Sequence, residues 1–156
     1  MEVKTRRLEN NMITLGTGII AFSIWALLKY ALTSFSDLSP PETMTAEARV
    51  VFYIIIIVFS LTDVLLHFYI GVSARSEGKG KKKTPLYLVL SALIILVYVL
   101  GIAFEIYQLF FSKNYFTLFV TTLVDVTSTI IFIEMFVYAV QLRGIRRQKR
   151  KKEAAV

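Results

Sequence analysis

Residues 50–73 read VVFYIIIIVFSLTDVLLHFYIGVS, and this stretch decides the architecture. It is longer than the ~20 apolar residues that carry a helix across a hydrocarbon core of about 30 Å. β-Barrel strands would be about half as long and would alternate polar with apolar residues. Only a helix satisfies its backbone hydrogen bonds within one segment in lipid, so the stretch predicts a transmembrane helix. Inside it stand Asp63 and the single histidine, His67, four positions apart and therefore on one helix face.

Three similar segments surround it, so the predicted helices cover about 11–35, 50–73, 85–111 and 116–142. Of 156 residues, 56% are hydrophobic, gathered into these blocks as in a membrane protein. The chain has no cysteine, which excludes disulfides, thiolate nucleophiles and cysteine-ligated metal centres. The first segment follows KTRR, but it is too long for a signal-peptide core and lacks a small-x-small cleavage site. It is expected to stay as an anchored helix.

Formal net charge is +7, and fifteen of the 18 basic residues fall on one side of a four-pass path. They precede the first helix, fill the loop between the second and third, and follow the fourth. The positive-inside rule then places both termini and the middle loop in the cytoplasm. The expected fold is all-α: a four-transmembrane-helix bundle of two antiparallel hairpins over residues 1–142, with a basic cytoplasmic tail at 143–156. Ser39, Pro40 and Glu42 have capping-box spacing, which predicts a second helix starting near Pro40 and running to about Ser73. SEGKGKKKTP reads as a flexible basic linker.

Ionisable side chains inside a bilayer face a bundle interior or a wet cavity. Lys29 and Glu105 each lie six residues before the outer end of their helices, and the matched depth predicts an ion pair. Asp63, His67 and Asp125 lie nearer the midplane. Two carboxylates in a low-dielectric interior repel each other when both are charged, which favours holding a proton or a cation there. The same residues could instead hydrogen-bond neighbouring hydroxyls and act as glue between helices. Glu134 is nine residues after Asp125 and so on the opposite side of the helix, and Tyr138 and Gln141 continue its stripe, so these three are expected at an interface. No catalytic residue is assigned, because no nucleophile–base pair is present. One histidine without thiolates also makes a poor metal or haem site, so no metal and no cofactor are expected.

The tail carries Arg146, Arg147, Lys149, Arg150, Lys151 and Lys152, a juxtamembrane cluster suited to anionic lipids. No aromatic platform accompanies it, so nucleic acid is not an expected partner. Two functions are expected to compete. One is an oligomeric proton- or cation-linked transporter or channel. The other is a non-catalytic subunit or regulator of a larger membrane complex. A bacterial inner (plasma) membrane is the default location, with a eukaryotic endomembrane as the alternative.

Overall fold

The computed structural model describes residues 2–36, 44–110 and 115–154. They form four helices: α1 (Glu2–Ser36), α2 (Ala46–Gly78), α3 (Leu86–Leu109) and α4 (Tyr115–Glu153). No strand occurs among the described residues. Three spans, Ala46–Gly78, Leu86–Gln108 and Thr121–Glu153, are long and apolar enough to cross a membrane. The chain is a helical membrane protein.

α1 packs most extensively on α2 and also touches α4, while α3 packs on α4 and less closely on α2. α1 and α3 therefore sit diagonally, with no close backbone approach among the described residues. The inward stripes follow three- and four-residue steps. On α2 the stripe is Ser60, Asp63, His67, Ile70, Ala74 and Glu77; on α4 it is Asp125, Ser128, Phe132, Met135, Ala139 and Leu142. Large aliphatic side chains such as Ile57, Val58, Leu65, Leu96, Val97 and Leu100 point outward. Ser23, Ser73, Ser91, Ser128 and Thr129 are buried between helices instead. That inversion suits lipid, where small and polar residues mediate helix packing and apolar ones need no shelter. The hydroxyls of Ser23, Ser91, Ser128 and Thr129 each donate to a carbonyl one turn back in their own helix.

Glycine sets the closest approach. A Cβ on Gly71 would lie 2.7 Å from the Gly16 carbonyl oxygen, and one on Gly16 would lie 2.7 Å from the Gly71 oxygen and from the Arg75 nitrogen. Lower on the same seam, a Cβ on Gly78 would meet the Glu9 oxygen at 2.8 Å. α1 and α2 thus touch backbone to backbone, as small residues allow in membranes.

Helix ends depart from the sequence expectation in physically readable ways. α2 begins at Ala46 rather than near Pro40, capped by Thr45, whose Oγ1 accepts from the Ala48 N–H at 3.3 Å. The expected Ser39–Glu42 box lies outside the described residues. At its other end α2 runs past Ser73 to Gly78, because Ala74 and Glu77 are still on the buried stripe. A Schellman turn then stops it: Gly80 donates to the Glu77 carbonyl, Lys81 to that of Ser76, and Gly80 has φ +83°. α1 starts at Glu2 rather than near Asn11, since Leu8 and Met12 belong to the core. The basic segment after Leu142 continues α4 as helix to Glu153, with Ile145 packed on the core.

Candidate functional site

The inward stripes bring polar groups together at two levels. The first is at the basic end of the bundle, around Glu77, which is only 3% exposed. Arg143 of α4 grips its carboxylate with both arms, Nε to Oε1 and Nη2 to Oε2, each at 2.7 Å. The Tyr87 hydroxyl of α3 donates to Oε2 at 2.7 Å, and the Arg143 guanidinium lies 5.4 Å from the centre of the Tyr87 ring. Arg143 Nη2 also reaches the carbonyls of Lys83 and Thr84 in the α2–α3 connection. One turn on, Arg146 Nη2 donates to Glu9 Oε1 of α1 at 2.8 Å and to the Glu77 carbonyl at 3.1 Å. Four helices are thus joined through two carboxylates and two guanidiniums. A two-armed guanidinium–carboxylate contact is both strong and directional, so it fixes the rotation of α2 against α4.

The second level lies ten residues back along α2, at His67, which is 2% exposed. Its Nδ1 sits 2.7 Å from the Asp63 carbonyl oxygen and 3.3 Å from Asp63 Oδ1. Facing two oxygens, Nδ1 carries a proton. Nε2 lies 2.7 Å from the Tyr98 hydroxyl of α3. In the neutral ring Nε2 is therefore the acceptor and Tyr98 the donor. Phe132 of α4 closes the group, edge-on to the imidazole at 5.1 Å between ring centres and to Tyr98 at 6.3 Å. The result is a line of carboxylate, imidazole and phenol from α2 to α3, walled by an aromatic ring.

Asp63 and His67 thus meet as their spacing predicts. Asp125 lies on the α4 stripe seven residues before Phe132, about 10 Å along the axis from it. No group of three or more His, Asp or Glu side chains among the described residues is placed to hold a metal ion. Glu105 lies on the inward side of α3, seven residues beyond Tyr98. The side chain of Lys29 falls outside the described residues, and with it the expected Lys29–Glu105 pair. Glu134 and Gln141 are exposed on α4, whereas Tyr138 between them packs partly against the core. Of the basic cluster, Arg146 is engaged as above, and Lys149 lies 3.9 Å from Glu153 Oε1. Arg147, Arg150, Lys151 and Lys152 are exposed.

Sequence reasoning missed Glu9, Glu77, Tyr87, Tyr98 and Arg143. A signal existed for the acids: Glu9 and Glu77 are isolated among the basic residues of one side, where each has a surplus of cations to meet. In comparisons with known proteins, the chain matches no protein family, no curated protein and no solved structure.

Proposed function

We propose that the four helices cross a membrane as two antiparallel hairpins, with the basic end in the cytoplasm, and that the bundle carries protons or a cation through its interior. The observation that carries this reading is the Asp63–His67–Tyr98 line, centred on a buried histidine and partly buried at both ends, in a protein whose outer faces are apolar. A proton arriving at Nε2 turns the imidazole into a double donor, so the Tyr98 hydroxyl must rotate from donating to accepting. Reversal of that hydroxyl hands the polarity of the line from one side of His67 to the other. Glu105 and Asp125 lie on the inward side of the half farther from the basic end, with Asp63 near the middle, which would draw cations toward the histidine.

The test is proton flux in proteoliposomes under an imposed gradient. We expect His67→Gln to abolish flux, and Asp63→Asn and Tyr98→Phe to reduce it at least tenfold, with thermal stability measured beside each. Unchanged flux in all three, or none in the wild type under proton, sodium and potassium gradients, would favour the second reading. That reading, a non-catalytic subunit or regulator, is supported by Glu134 and Gln141, polar groups on the outward side of a membrane helix. Either a second copy or another membrane protein would cover them.

Orientation has its own check. With no native cysteine to remove, Glu47→Cys and Lys81→Cys can be labelled directly in cells. An impermeant maleimide should reach the first from outside and the second only after permeabilisation. Labelling of both from outside would overturn the topology.

A further inference from the structure

Beside the Glu77–Arg143 contact opens a cleft of ≈ 620 Å³, between the α2–α3 connection and the last turns of α4. That volume falls within the range of roughly 300–1,000 Å³ usual for ligand pockets. Its floor is Glu77 with Arg143 and Arg146; Lys82 and Lys83 form one wall. Arg147, Arg150 and Lys151 form the other. Arg143 is neutralised by Glu77 and Arg146 by Glu9. The five wall cations have no carboxylate within salt-bridge distance among the described residues, and all five are exposed.

Five like charges around one cleft repel, and the two ion pairs of the floor hold the walls at a fixed spacing. A ligand that stabilises this arrangement must bring several negative charges in a compact, oxygen-rich form. We propose that the cleft binds a lipid headgroup carrying at least two phosphates. Phosphate oxygens match the guanidinium arms of Arg147 and Arg150 in two-point contacts and accept from Lys82, Lys83 and Lys151. A lipid suits the position, because α4 passes without a break from its apolar span into this wall, which sets the cleft at the bilayer surface. Basic pockets at the ends of transmembrane helices take such headgroups. The proposal rests on the orientation given above, which turns the basic end toward an anionic leaflet. It is independent of whether the bundle moves ions.

Two kinds of binding must be separated: a shaped site and a diffuse field from a polybasic surface. The full-length protein in neutral detergent micelles, at physiological salt, should be titrated calorimetrically with three probes. These are dioctanoyl phosphatidylinositol bisphosphate, dioctanoyl phosphatidylserine and inorganic pyrophosphate. We expect one bisphosphate lipid per chain, bound at least tenfold more tightly than phosphatidylserine or pyrophosphate. The double variant Lys82→Gln/Arg150→Gln should weaken it at least tenfold. Lys149→Gln/Lys152→Gln removes the same charge outside the cleft and should change it less than twofold. Equal losses in the two double variants, or equal affinity for phosphatidylserine, would show a diffuse field and overturn the site. Pyrophosphate binding as tightly as the lipid would overturn the lipid as its ligand. A protein without ion flux that still passes these tests would retain the site.

Discussion

Replacing Arg143 by methionine will destabilise the bundle by about 3 kcal/mol, more than replacing Glu77 by methionine, and the double replacement will cost less than Arg143→Met alone. The order follows from exposure. Glu77 is enclosed, so without Arg143 its carboxylate retains one hydroxyl donor, Tyr87, and loses its counter-charge. Arg143 is about a quarter exposed and also donates to two loop carbonyls, so without Glu77 it keeps part of its solvation. With both replaced, no buried charge is left behind and the methionines fill similar volume. Unfolding of the four proteins in mixed detergent micelles reads the cycle. Simple additivity of the two single losses would show that the residues are not coupled.

The second large effect concerns the α1–α2 seam, and here the sign itself is at issue. In a helix, exchanging glycine for alanine ordinarily gains up to about 1 kcal/mol. Gly101 of α3 and Gly144 of α4 have open space where a Cβ would go, so alanine there should be neutral or stabilising. Gly71 and Gly16 instead face backbone atoms of the neighbouring helix at 2.7 Å. A backbone cannot swing aside as a side chain can, so the two helices must move apart along their whole contact. We expect Gly71→Ala and Gly16→Ala each to lose about 2 kcal/mol, within the usual range for overpacking. Thermal unfolding in detergent would show it. A Gly71→Ala protein as stable as Gly101→Ala would mean that the seam is looser than the structure has it.

How much of this was legible beforehand depended on the range of the interaction responsible. The helical spans could be read because lipid imposes length and apolarity on every segment separately. The shared face of Asp63 and His67 could be read because i,i+4 spacing is local. Helix ends were harder. Asn11 looked like the start of α1 because Glu9 and Asn10 are polar, yet Leu8 and Met12 continue the core, and Glu9 is held by a residue of α4. Likewise SEG before Lys79 looked like linker, since the partner of Glu77, Arg143, lies 66 positions away and Gly78 packs against Glu9 and Ile13 of α1. Tyr98 carried no distinguishing mark among eight tyrosines. Its role arises only where α3 comes level with His67. The site is therefore assembled by contacts between helices, which spacing along one helix does not encode.

The pairing of Glu9 with Arg146 has a consequence for the order of events during synthesis. The two residues are 137 positions apart, and Glu77 waits 66 positions for Arg143. The α1–α2 seam needs only residues up to Gly78, so it can form while the rest of the chain is still on the ribosome. Until α4 has emerged, that early pair carries Glu77 without its guanidinium. The fourth helix is thus the clasp: Glu9 and Glu77, both placed by the first two helices, gain their guanidinium partners only when Arg146 and Arg143 arrive.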